Sequence, residues 1–350
     1  MSRPVLRIRT DRFLANIAAV RERIAPSELM LVVKDQAYGH GLAWAVESAV
    51  RAGVSRFGSY DISSGVEIRK MLGADAHRVR IFAWATSTDE EIDQALSHDI
   101  DLGVGTAEYL GRVLDRAEAR GITARIHLKI DTGLHRNGLL PTEWPDTIER
   151  VRAAEAAGHA ALVGIWSHLA EASDAEDDDA REVFLTAVSV ASQAGATPEA
   201  LHLTASAASW WRPELRGTVS RIGAFCYGIR SADGPDLEGI LPVSELIATV
   251  VDVAGGDAMI GLGSFDGLPS TLTGASVGTP AGARELRRVG ETSTLVAGWP
   301  GMAVGDQVHV FGAGDRGESS ATTLAERIDT VGEEILTRLT PFVRREIVGE

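Results

Sequence analysis

The sequence predicts an α/β protein in which residues 1–235 form a (β/α)8, TIM-type barrel and residues 236–350 a smaller, mostly β domain. Apolar, strand-like runs recur at 29–33, 56–60, 79–84, 100–104, 124–130, 161–166, 200–204 and 219–227. Between most of them lies an amphipathic helical segment such as AEYLGRVLDRAEARG or DAREVFLTAVSVASQAG, several closing on Gly. The third observation sets the boundary: near 235 this rhythm stops and short β runs separated by Gly-rich turns take over.

In chain order, the strand VLRIR is followed by a Thr10/Asp11 cap and by apolar residues at helical spacing, namely Phe13, Leu14, Ile17, Val20 and Ile24. This first strand is a candidate to join the β domain. After the eighth run, the polar stretch SADGPDLEG links the two domains. LIATVVDVA, DAMIGLG, RELRRVGETSTLVAG and DQVHVFGAG then read as β structure, and a final helix spans roughly 321–340, ended by Pro341.

Composition narrows the function classes. A formal charge of −15 argues against nucleic acid or an anionic membrane surface as partner. The single cysteine, Cys226, excludes an intramolecular disulfide and a cysteine metal cluster, which suits a reducing compartment. No stretch approaches the roughly 20 apolar residues of a membrane span, and the charged start is not of signal-peptide type. The expectation is a cytoplasmic protein acting on a small molecule, with no metal.

Chemistry in such a barrel sits at the C-terminal ends of the strands. Those ends carry Lys34 with Tyr38 close behind, Lys129, Asp131 and Arg136, Ser167 and His168, Ser206, and Arg221 with Gly223. A lysine desolvated at a strand end loses its charge and becomes able to form a Schiff base with a carbonyl cofactor. Ser206, Tyr38 and the amides near Gly223 are suited to a phosphate.

With these residues in place, the sequence resembles the alanine racemase family of pyridoxal-phosphate enzymes over nearly its whole length, most strongly in 1–228. The family's V-K-x-x-A-Y-G-H-G appears as VVKDQAYGHG, and its K-x-D-T-G-x-x-R-x-G as KIDTGLHRNG. SHLA, LTASAAS and SRIGAFCYG match three further family segments, with Ala205 standing where asparagine is usual. The resemblance implies pyridoxal 5'-phosphate attached as an aldimine to Lys34, which also acts as acid and base on one face of the substrate carbon. It implies a phosphate site from Tyr38, Ser206, Gly223 and Ala224, with His168 against the pyridine ring and Arg221 facing the ring nitrogen. Arg136 would position the substrate, Lys129 is a candidate for carbamylation, and a head-to-tail homodimer would place sites at the interface.

Departures from the family gather after residue 235. The family's G-Y-x-D-G, whose tyrosine is the second acid/base, reads GSFDG and puts Ser264 in the tyrosine position. V-G-R-V-S-M-D reads VGETSTL, so Thr294 and Leu295 replace Met and Asp. The Tyr-Glu that opens the last helix appears as Glu333-Glu334. The expected activity is an amino-acid racemase or epimerase, with Lys34 and either Ser264 or water as its two proton donors and a substrate bulkier than alanine. The alternatives are one-base α-carbon chemistry (aldol-type exchange, decarboxylation or proton exchange) and a non-catalytic cofactor-binding protein. GAGDRG at 312–317 fits G-x-G-x-x-G but lacks the βαβ unit of a dinucleotide site, and a single DTG at 131–133 is half of an aspartic-protease pair.

Overall fold

The structure, a computed structural model, describes residues 3–349. The chain divides into two compact units, one made of Val20–Lys34 and Ala49–Gly223, the other of residues up to Ala19, Asp35–Ser48 and Ala224 onward. Among the described residues no helix is long and apolar enough to cross a membrane.

The first unit holds eight parallel strands, Glu28–Val32, Arg56–Tyr60, Arg80–Ala83, Asp101–Val104, Ala124–Lys129, Ala160–Trp166, Ala200–His202 and Val219–Ile222. Each pairs with its predecessor except the last, which pairs with the first. The remaining seam is closed by Thr218, whose Oγ1 accepts from Leu201 N at 2.8 Å, and by a bond from Arg221 N to Thr204 O at 3.3 Å. The (β/α)8 barrel is therefore present.

Its helices start where side chains satisfy the otherwise unpaired first amides. Asp61 accepts from Ser64 N, Thr106 from Tyr109 N and Ser173 from Glu176 N, while Thr88 and Glu91 form a reciprocal capping box. The helix Ala107–Arg120 stops at Gly121, which adopts the left-handed conformation (φ 62°).

Inside the barrel, Met30, Phe82, Trp166, Ala200 and Val219 pack as one buried cluster with Trp84 against it. Two histidines share this interior. The His127 ring lies 4.6 Å from Phe82, and His202 stacks on Trp166 at 5.8 Å. A Cβ on Gly164 would stand 2.0 Å from His127 Nδ1, so only glycine at that strand position leaves room for the imidazole.

The second unit is an eight-stranded sheet in the order 257–260, 294–296, 282–289, 276–279, 307–311, 244–254, 5–9, 344–348. The N-terminal strand Val5–Arg9 pairs antiparallel with Ser244–Ala254 and parallel with Arg344–Val348. In place of one helix over 321–340 there are two short ones, Ala321–Glu326 and Gly332–Thr337. The break contains Asp329 at φ 57°, a left-handed residue that a continuous right-handed helix excludes.

The GAGDRG loop follows the strand Gln307–Phe311, and its anion-cradling amides are already occupied. Gly314 N and Arg316 N each donate to the buried Glu318 carboxylate at 2.9 Å. Glu318→Ala leaves two amides without their acceptor, so urea denaturation is expected to show a loss of about 1–3 kcal/mol.

Candidate active site

Beyond the strand Glu28–Val32, Val33 N still bonds Gly58 O at 2.9 Å, and Lys34 follows at once, half-buried. The next four residues, Asp35, Gln36, Ala37 and Tyr38, all sit at φ 53–55°. This is one left-handed turn built from non-glycine residues, a conformation costing roughly 1–2 kcal/mol per residue. The second unit holds it in place. Gly39 N and Gly41 N donate back to Asp35 O (2.9 Å) and Gln36 O (2.8 Å), and His40 bridges Ala37 O (2.8 Å) and Ser244 Oγ (3.1 Å).

Tyr38 and His40 both pack on Tyr227, with ring centroids 5.0 and 5.1 Å away. A Cβ on Gly39 would stand 2.9 Å from Leu336 O, which explains glycine at that point of AYGHG. Burial first, then the charge of Glu333, pushes the Tyr38 hydroxyl well above its usual range. The acidic residue in the family's tyrosine segment thus lies close enough to act on Tyr38, while Glu334 turns to Arg338 at 3.0 Å.

In the barrel unit the charged strand ends converge. Burial, and then the positive charges of Arg221, Arg136, Lys129 and Lys34, hold the His168 imidazole neutral, with a pKa lowered to about 3. Its Nδ1 lies 3.3 Å from Arg221 Nη2. Arg221 is itself buried and donates to the carbonyls of Ser167 (2.7 Å), His202 (2.6 Å) and Leu203 (3.2 Å), with its guanidinium 5.2 Å over the Trp166 ring. Burial brings its pKa down to about 9, with Glu171 opposing and Arg136 assisting.

Lys129 Nζ sits 4.7 Å over the same indole. Burial, Arg136 and Arg221 lower its pKa to about 8. Asp131 does not hydrogen-bond Lys129; its carboxylate accepts from Gly133 N (3.0 Å), His135 N (3.1 Å) and His135 Nδ1 (3.1 Å), fixing the loop that carries Arg136. Ser206 Oγ accepts from Gly223 N at 3.4 Å, and Ala205 before it supplies no side-chain cap.

Four cations act on His168 here, and Arg136, Arg221 and Lys129 are coupled to one another against two carboxylates, Asp131 and Glu171. Such a donor set fits an anionic ligand with a flat ring and a phosphate. Among the described residues no group of three His, Cys, Asp or Glu side chains is placed to hold a metal ion.

Glu171 escaped the sequence reading. It lies at φ 54° and accepts from Ala208 N at 3.0 Å, and nothing in its local pattern marks it. His127 and His202 also went unnoticed, although the alternation that sends Lys129 inward sends His127 inward two residues earlier.

The remaining site residues belong to the second unit. Ala224 opens the buried turn Ala224–Tyr227. Ser264 is exposed and opens the turn Ser264–Asp266, which is fixed by Ser264 N to Gly290 O (2.9 Å), Phe265 N to Glu291 O (2.9 Å) and Gly263 N to Asp266 Oδ2 (2.9 Å). Among the described residues no side chain hydrogen-bonds the Ser264 hydroxyl. Thr294 is buried and donates to Leu262 O at 2.7 Å, and Leu295 pairs with Met259 in the sheet.

Comparison with known proteins places the chain beside the alanine racemases. Residues 8–231 match the family model described as alanine racemase, N-terminal domain. An alanine racemase of Thermobifida fusca (strain YX) is 34% identical over 98% of this chain and 97% of its own length. One from Beutenbergia cavernae is 33% identical over 95% of each. Among solved structures, alanine racemase from Streptomyces coelicolor A3(2) superposes with a TM-score of 0.92 at 28% identity, covering 99% of this chain and 98% of that one. That from D-cycloserine-producing Streptomyces lavendulae gives 0.90 at 29%, covering 100% and 98%.

A pH dependence follows from Lys129. Between about pH 8 and its ordinary 10.5, the unfolded chain carries the Lys129 proton and the folded barrel does not. The contribution of Lys129 to the stability of the cofactor-free protein should therefore rise with pH across that window. Lys129→Met should show a flatter rise in parallel denaturant titrations, the difference between the two proteins isolating this amine.

Proposed function

Because the chain belongs to the alanine racemase family of pyridoxal-phosphate-dependent isomerases, we propose that it inverts an amino acid larger than alanine at the α-carbon, using pyridoxal 5'-phosphate held by Lys34. The observation that carries this reading is the convergence of Lys34, Lys129, Arg136 and Arg221 on one neutral imidazole, His168. Such an excess of cations is matched by a phosphorylated ring and a substrate carboxylate.

Bound there, the cofactor supplies an electron-withdrawing ring that acidifies the substrate's α-proton. Ser206 Oγ, the amides of Gly223 and Ala224 and the Tyr38 hydroxyl would hold its phosphate. Arg221 keeps its proton near neutral pH and would donate to the ring nitrogen of the bound cofactor, a contact that disfavours a protonated ring and so favours quick reprotonation over transamination. His168, held neutral, would lie against the ring without adding charge. Lys34 takes or returns the α-proton on its face. Arg136 receives the substrate carboxylate. Lys129, partly neutral near pH 8, is able to add carbon dioxide, forming an N–C bond and releasing one proton; the resulting carbamate is an anion beside Arg136.

The opposite face is served in a head-to-tail homodimer by Ser264 or by water. A serine hydroxyl lies far above the working pH range of a general base, and among the described residues no side chain bonds the exposed Ser264 hydroxyl to activate it. The exposed serine in place of tyrosine would also leave space for a side chain longer than methyl. The unassisted Ser264 supports a second reading as well, one-base chemistry at the α-carbon.

Purified with cofactor, the protein should show the visible band of lysine-bound pyridoxal, lost on borohydride reduction and absent in Lys34→Ala; a colourless wild type rejects the proposal. Single enantiomers from an amino-acid panel, incubated in deuterated water, separate the two reactions. Inversion with label identifies a racemase, and label with retained configuration identifies one-base chemistry. Ser264→Tyr is expected to raise alanine racemisation by roughly 10²-fold, the scale of one general acid–base group.

A further inference from the structure

The interior of a (β/α)8 barrel is ordinarily packed with branched apolar side chains. Here a polar chain runs through it. Arg221 Nη1 lies 3.0 Å from His202 Nδ1, His202 Nε2 lies 2.8 Å from His127 Nδ1, and His127 Nε2 lies 3.4 Å from Asp101 Oδ2. Asp101, the first residue of its strand and 1% exposed, is clamped by Arg125 Nε at 2.8 Å and by Arg80. Phe82 and Trp166 lie against the two imidazoles.

Donor counting gives this chain a direction. A guanidinium nitrogen only donates, so His202 Nδ1 must accept. His202 then carries its hydrogen on Nε2 and donates to His127 Nδ1. His127 carries its hydrogen on Nε2 and donates to Asp101. Burial keeps both rings neutral, and although burial of Asp101 works the other way, His127 and Arg80 hold its carboxyl well below the usual range.

We propose that Asp101 is a positioning residue for the active site: through His127 and His202 it fixes the hydrogen-bond polarity met by Arg221, and hence the orientation in which that guanidinium is presented to the ring nitrogen. The Arg221 end of this inference rests on the proposed cofactor site; the tautomer order does not. Asp101→Asn reverses the chain. The one remaining oxygen is taken by Arg80 and Arg125, and the amide NH₂ faces His127. His127 Nε2 then accepts, both rings shift to the Nδ1–H form, and His202 presents a hydrogen to Arg221, which must move.

Histidine-labelled NMR of the cofactor-free wild type is the first test. Nε2–H tautomers on both His127 and His202 are expected, and an Nδ1–H or doubly protonated ring at either position overturns the proposal. This measurement stands even if Asp101→Asn does not fold. In the loaded enzyme, Asp101→Asn should lower kcat about tenfold with KM changed less than about twofold, and raise transamination per turnover. His127→Phe should reproduce that change, and adding Asp101→Asn to it should cost nothing further, because the link is already cut. Additive losses, or an unchanged partition between racemisation and transamination, overturn the relay. A colourless wild type with the expected tautomers rejects the cofactor reading and leaves the tautomer order standing.

Discussion

Positive charge gathered at one end of the barrel is the constraint on which the rest depends. An unpaired cation buried in a protein costs several kcal/mol, and like charges brought together add to that. Each cation meets the cost differently. Arg221 is wrapped in carbonyl oxygens and lies over the Trp166 ring, Lys129 shares that ring and is drawn toward its neutral form, and Arg136 remains exposed. His168 stays unprotonated and so adds no further charge. Arranged in this way, the cations are affordable without a ligand and more stable with an anionic one.

The backbone is shaped to the same end. Four consecutive left-handed residues from Asp35 to Tyr38 reverse the chain directly after Lys34, so Tyr38 and His40 pack on Tyr227 within a few residues of the strand end. Strain of this kind persists only where the surroundings over-determine it. Here two amides from Gly39 and Gly41 and both nitrogens of His40 do so. Gly164 plays the equivalent part inside the barrel, where a methyl group would displace His127.

The barrel was legible because its strands are buried on both sides and read as apolar runs. The run at 29–33 is the strand Glu28–Val32 and that at 161–166 is Ala160–Trp166. The last run stops early, at Ile222, because Gly223 leads into the turn Ala224–Tyr227. Ser276–Thr279 and Arg344–Val348 were not seen. The first, Ser-Val-Gly-Thr, has one branched apolar residue beside a glycine, and the second is an edge strand with no buried residue and therefore no alternation to detect. Lys34, Lys129, Arg136, His168 and Arg221 could be named from strand ends because charge at the end of an apolar run is anomalous. Glu171 could not, since its place depends on a bond to Ala208 formed only in the folded chain.

The distribution of departures now has a physical sense. Every cation of the cluster lies in the barrel unit, and so do His168, Ser206 and Gly223. Ser264, Thr294, Leu295 and Glu333 lie in the other unit, on turns and strands whose bonds are made by backbone atoms or by their own sheet. Exchanging the Ser264 side chain costs little stability, because Ser264 N and Phe265 N are held by Gly290 and Glu291 whatever their side chains are. Exchanging Arg221 or His202 would strand buried donors and carbonyls around them. The barrel unit's charged cluster is thus tied into buried hydrogen bonds, whereas the Ser264 turn is held by its backbone alone.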